Sequence, residues 1–219
     1  MVAENLISSA VLPLRTSDTG KMALASMETF NVRHLPIVNE HQLLGVICED
    51  DILIHNTNEP IGSYQLSLLN AFVQHDDHLY EVMRLLADRQ LTVIPVVDDK
   101  GDYIGMVSLE DVLNYFAKTA AFSDTGSIVV LEFQQRSYSL AEIARLVEAE
   151  GATILSTFVT SHPNSTLVEV TLKINRQDIR NILAAFDRFG YVIKASFNEE
   201  EYLESLQERY DALMNYLNV

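Results

Sequence analysis

Two stretches of the chain follow one order of residues. "HLPIVNEHQLLGVICEDDIL" (34–53) and "VIPVVDDKGDYIGMVSLEDVL" (93–113) share apolar runs, a proline, a turn, a glycine and an aspartate. Pro36 meets Pro95, 59 residues later. Gly45 meets Gly105 and Asp51 meets Asp111, 60 residues later, after one inserted residue. Such self-similarity means one supersecondary unit built twice. The segments before them also correspond, "SDTGKMALASMETFNVRHLP" with "DDHLYEVMRLLADRQLTVIP".

The second copy shows what the unit is. Leu79, Val82, Met83, Leu86 and Ala87 recur at three- and four-residue spacing, one face of a helix. Asp77 or His78 stands at its N-cap position. "TVIPVV" is β-branched and apolar, "DDKGD" is turn chemistry, and "YIGMVS" is a second strand. "LEDVLNYFA" closes the unit as a helix starting near Ser108. Each copy reads helix, strand, turn, strand, helix. Neither can cover both faces of so small a sheet, so the two are expected to pack as a pseudo-symmetric pair.

Both copies pass from strand to helix through a glycine, two apolar residues, Ser108 or Cys48, and an aspartate three residues on. A helix start offers free N–H groups and a positive dipole end, which attract phosphate. Ser108 can add a hydroxyl there, and Asp111 can accept from both hydroxyls of a ribose. The same residues also suit a plain N-cap followed by an acidic first turn.

On these motifs residues 5–118 resemble a tandem pair of CBS domains, the cystathionine-β-synthase-type regulatory repeat. The resemblance implies an adenosyl ligand: AMP, ADP, ATP, S-adenosylmethionine or a dinucleotide. It assigns the ribose to Asp111 and the phosphate side to Ser108. It pairs them with Thr16, Arg33, His34, Leu35 and Pro36 of the first copy, where the Arg33 guanidinium could hold phosphate through paired donors. A second pocket would join Cys48 and Asp51 to Thr92, Ile94 and Pro95. There a thiol, a weak donor, replaces the hydroxyl. Thr92 takes the place of Arg33, and Glu49 and Asp50 add negative charge. This pocket is expected to be weaker, empty, or suited to an uncharged group.

After "KTAAFSDTG" the pattern changes. "SIVVLEFQ" alternates as a strand, and "SLAEIARLVEAEG" is an amphipathic helix with Ser139 as N-cap, Glu142 closing a capping box and Gly151 as its stop. Two strands, "ATILSTFVTS" and "STLVEVTLKI", a helix ending at Gly190 and a strand "YVIKASF" follow. The order βαββαβ is ferredoxin-like, and residues 127–198 resemble an ACT domain. The first strand-to-helix turn, "QQRSYS", lacks the glycine of amino-acid-binding members, which points to a structural or dimerising role. Together with the CBS pair it resembles the acetoin-utilisation accessory type of regulatory protein. In residues 199–219, Leu203, Leu206, Tyr210, Leu213 and Leu217 predict a helix with a coiled-coil-like seam, or one packed on its own domain. The expected fold class is α+β: repeats at 1–60 and 61–120, the ACT-like domain at 127–198, and a C-terminal helix.

Composition narrows the function. Thirty-one acidic residues against fifteen basic ones leave a formal charge of −16, which disfavours nucleic acid. No apolar run is long enough to span a membrane. "MVAENLISSAVLPL" lacks a basic leader, and the lone Cys48 cannot form an internal disulfide, so a cytoplasmic location is expected. "HDDH" (75–78) lacks further metal ligands and fits capping; His162 has no recognisable partner. Without a nucleophile elbow, Gly-rich phosphate loop or zinc motif, no enzyme, metal or resident cofactor is expected. The sequence thus points to a non-catalytic, homodimeric regulator that binds an adenosyl ligand. The alternative is a structural interaction module, with vestigial pockets and a protein partner.

Overall fold

The computed structural model describes residues 1–8, 11–64, 70–161, 163 and 165–198. The predicted helix at 199–219 and His162 lie outside the described residues. Contacts divide the chain into two units, Met1–Tyr115 and Phe116–Val219.

The first unit holds both copies. One consists of α1 (Gly20–Thr29), β1 (His34–Asn39), β2 (Gln42–Cys48) and α2 (Glu49–Leu53). The other consists of β3 (Val73–Gln74), α3 (Leu79–Asp88), β4 (Val93–Val97), β5 (Tyr103–Ser108) and α4 (Leu109–Ala117). The repetition extends to fine detail. Thr19 and His78, 59 residues apart, accept N–H bonds at the starts of α1 and α3. Asn31 and Gln90, just past the ends of these helices, adopt left-handed backbone with φ of 51° and 53°. Strands β1 and β2 pair antiparallel, as do β4 and β5, each with a register shift just after the proline. Leu14 bridges to Ile37 in parallel, as β3 pairs with β4.

The copies share a core. Leu35, Ile37, Ile47 and Ile52 of the first cluster with Val93 and Met106 of the second, so the apolar face that neither could bury alone is covered by its twin. The copies also exchange their leading segments. Residues before the first copy pack on the second, through Ala3 N–H to the Asp77 carbonyl (2.9 Å) and Ser8 N–H to the Met106 carbonyl (3.3 Å). Residues before the second pack on the first, through Ile61 N–H to the Asp18 carbonyl and Gly62 N–H to the Thr16 carbonyl, both 2.8 Å. A division at residue 60 therefore separates each copy from a segment that packs on it.

The second unit contains α5 (Ala120–Ser123), β6 (Ser127–Gln134), α6 (Leu140–Ala149), β7 (Ile154–Ser161), β8 (Leu167–Ile174), α7 (Arg180–Arg188) and β9 (Val192–Phe197). Its sheet has the order β7-β8-β6-β9 with every pairing antiparallel, the ferredoxin-like arrangement. Alternation in β6 and β8 turns Val129, Leu131, Val170 and Leu172 toward Ile143, Val147, Ile182 and Phe186 of the helices. Gly151 and Gly190 follow α6 and α7 with φ of 69° and 76°, which glycine adopts without strain. Ser139 Oγ accepts the Glu142 N–H. The Glu142 carboxylate meets the Tyr191 hydroxyl at 3.2 Å; the predicted second arm of the capping box is absent among the described contacts.

Candidate functional site

Antiparallel pairing places the end of one strand beside the start of its partner. His34 opposes Cys48, and Val93 opposes Ser108. The residue before each proline-bearing strand therefore sits over the helix start of its own copy. Glu49 N–H donates to the Arg33 carbonyl (2.9 Å), and Leu109 N–H donates to the Thr92 carbonyl (3.0 Å).

At α4 the sequence motif closes on itself. Ser108 N–H and Oγ–H both donate to Asp111 Oδ2, at 2.8 and 2.6 Å, while Ser108 Oγ accepts the Asp111 N–H at 3.1 Å. This reciprocal box satisfies two groups at the helix start. A carboxylate offers about four acceptor sites; Oδ2 takes two donors, and among the described residues none donates to Oδ1. The aspartate is thus held with one oxygen anchored and the other presented.

A cavity of about 630 Å³ opens beside it. It is lined by Ser108 at the end of β5, by Leu109, Glu110, Asp111 and Asn114 of α4, by Thr92, by Thr29 at the end of α1 and the three residues after it, and by Ser8 and Val11. Its size lies in the range of roughly 300–1,000 Å³ usual for small-molecule sites. Ser8 reaches it because the leading segment crosses to the second copy.

Several residues fall elsewhere than the motif reading placed them. Thr92 lines the Ser108–Asp111 cavity, and Arg33 does not. The Arg33 guanidinium lies over the start of α2, with Nε 3.2 Å from Glu49 and Nη2 3.2 Å from Asp50. The two residues are exchanged relative to expectation, because strand pairing ties each to its own copy. Thr16, His34 and Pro36 are also not part of this cavity lining. Thr16 borders a recess of 720 Å³ formed by residues 12–18, Met22, Ser26 and 38–40. That recess is larger but contains no Ser-x-x-Asp pair. Leu35 and Pro36 are buried in β1, as are Ile94 and Pro95 in β4. Asn31, Asn114, Ser8 and Val11 were not singled out from the sequence. Only Asn31 carried a signal, as a turn-forming residue at a helix end.

His34 joins the copies. Its Nδ1 accepts the Thr92 N–H at 3.3 Å and lies 3.2 Å from Thr92 Oγ1, which itself accepts the Arg33 N–H at 2.9 Å. With Nδ1 taking the Thr92 N–H, the neutral ring carries its proton on Nε2. Burial lowers the pKa of His34, the Arg33 charge lowers it further, and Asp50 and Asp51 oppose them.

The first copy repeats the box with sulfur. Cys48 Sγ–H donates to Asp51 Oδ2 at 3.1 Å, and Sγ accepts the Asp51 N–H at 3.4 Å. Burial first, then the bond to Asp51, raises the thiol's pKa, so thiolate chemistry is disfavoured. In "HDDH", His78 caps α3, Asp77 accepts the Gln74 N–H, and His75 meets Asp99 at 3.1 Å. Among the described residues no group of three or more His, Cys, Asp or Glu is arranged to hold a metal, and no helix is long and apolar enough to cross a membrane.

Residues 3–56 and 70–118 match the CBS domain family. The chain is 31% identical over 121 residues to homoserine O-acetyltransferase of Methanococcus vannielii, covering 52% of this chain and 24% of that protein. It is 24% identical over 150 residues to inosine-5'-monophosphate dehydrogenase of Methanocaldococcus jannaschii, covering 68% and 30%. The chain thus spans less than a third of the length of either relative. A solved CBS domain pair/ACT domain protein from Thermotoga maritima shares 22% identity, with 54% of this chain and 98% of that one covered and a TM-score of 0.48. The matched segments, the doubled strand pairs and the two Ser/Cys-x-x-Asp boxes make the first unit of this chain a tandem pair of CBS domains.

Proposed function

We propose that this protein is a non-catalytic regulator whose CBS pair senses an adenine nucleotide or another adenosyl ligand at the Ser108–Asp111 cavity. The observation that carries this reading is the anchored Asp111 carboxylate, whose Oδ1 takes no donor among the described residues, beside a cavity built from both copies. A vicinal diol can donate to the two sites on Oδ1, while Phe30, Val32 and Leu109 supply apolar surface for a base. Because the lining comes from both copies, a bound ligand would favour one packing of the pair over another. The ferredoxin-like unit, read as ACT-like, would support a homodimer or transmit the change. A cytoplasmic setting and the acetoin-utilisation accessory type belong to the same proposal, the latter on domain order alone.

Calorimetry with AMP, ADP, ATP, S-adenosylmethionine and NAD, on wild type, Asp111→Ala and Asp51→Ala, tests it. The expected result is saturable binding of at least one ligand, weakened roughly tenfold or more by Asp111→Ala, since a charged hydrogen bond contributes about 1.5–3 kcal/mol, and little changed by Asp51→Ala. Equal affinity in Asp111→Ala would remove the diol contact. The second reading, a structural interaction module with vestigial pockets, draws support from the closed box, which caps α4 without any ligand. It predicts no binding across the panel by folded protein and co-purification with a protein partner.

A further inference from the structure

Resting on the adenosyl reading, we infer that the Ser108–Asp111 cavity selects a nucleoside bearing a neutral or positively charged group and discriminates against di- and triphosphates. Most of the groups that would hold phosphate at such a site are already engaged. The Ser108 hydroxyl proton is donated to Asp111, leaving Oγ only an acceptor there. The Leu109 N–H is bonded to the Thr92 carbonyl, and the Asp111 N–H to Ser108 Oγ. Of the first three amides of α4, only that of Glu110 is left without a bond among the described residues. The Thr29 hydroxyl donates to the Ala25 carbonyl, and that of Thr92 faces His34.

Charge points the same way. Among the described residues the lining contains two carboxylates, Glu110 and Asp111, and no Lys, Arg or His. Arg33 is held by Glu49 and Asp50 at the other helix start. His34, reached through Thr92, favours its neutral form and adds no positive charge. The residues of this unit outside the description, 9–10 and 65–69, include no basic side chain. With a formal charge of −16 on the chain, a polyphosphate would enter against an unfavourable field. Asn31 and Asn114 also line the cavity, and a carboxamide can both donate to and accept from a neutral group.

The test is binding of adenosine, S-adenosylmethionine, AMP and ATP to the full chain in buffer free of divalent cations, with Glu110→Lys as the second variant. Adenosine or S-adenosylmethionine should bind at least roughly tenfold more tightly than ATP, and Glu110→Lys should narrow that ratio by a similar factor. ATP binding as tightly as adenosine would overturn the inference and leave the adenosyl reading standing. A Glu110→Lys ratio identical to wild type would also overturn it, because the field at the cavity would then not be the selector. Folded protein that binds none of the four would overturn both.

Discussion

The two CBS copies share one backbone and differ in what stands at each helix start. In the second, Ser108 makes a three-bond box with Asp111 at the start of a nine-residue helix, next to a cavity. In the first, Cys48 makes two longer sulfur contacts with Asp51 at the start of a five-residue helix, and Arg33 bridges to Glu49 and Asp50. The comparison separates structure from recognition. Both boxes cap a helix, but the second also lines a cavity without a cation, while the cation of the first neutralises its own acidic turn. Those ion pairs are exposed and contribute little stability.

Exchanging what differs between the copies would break this symmetry, most strongly in the core. Leu79 is buried at the position 59 residues after Gly20. Beside Gly20, a Cβ would come within 2.9 Å of Ile52 Cγ2 and 3.1 Å of the Thr57 Cα. Leu79→Ala is expected to lower unfolding free energy by about 3 kcal/mol through the cavity left behind, and Gly20→Ala by about 2 kcal/mol through overpacking. Urea unfolding reads both, and a neutral Gly20→Ala would show that the first copy has slack at that point.

The caps provide a finer exchange. Ser108→Cys should cost about 1 kcal/mol, within the usual range for weakening an N-cap, and Cys48→Ser should recover about half as much in the first copy. Equal and opposite shifts would mean that the boxes differ by sulfur alone. A larger loss at Ser108 would show that the added backbone bond to Asp111 depends on the hydroxyl.

The smallest effect concerns His34, whose counterpart is Val93. With its folded pKa lowered by burial, the unfolded chain takes up a proton first as pH falls below about 6.5. Stability is therefore full above that value and declines as pH drops from it toward the lower folded pKa. His34→Gln should flatten this part of the stability-against-pH curve in thermal unfolding. An unchanged slope would place the titration elsewhere.

Much of the fold was legible because local patterns and the repeat agreed. Pro36 and Pro95, Gly45 and Gly105, and the spacing of apolar residues in α3 fixed strands, turns and helices without reference to distant contacts. The Ser108–Asp111 pair was legible for the same reason, its two members being one helical turn apart. The placement of Arg33 was not, because the motif does not say over which helix start a residue before a strand will lie.

What the sequence by itself determined is therefore the doubled unit, the βαββαβ order of the second half, and the identity of the two aspartates at the helix starts. What only the tertiary structure decided is which other residues meet them. Antiparallel pairing puts Thr92 at the cavity and Arg33 over Glu49 and Asp50, and the crossing of the leading segments brings Ser8 to the second copy. Those neighbours depend on strand register and on where chain segments cross, both set by burial of a shared core across dozens of residues, and short-range spacing carries no record of either.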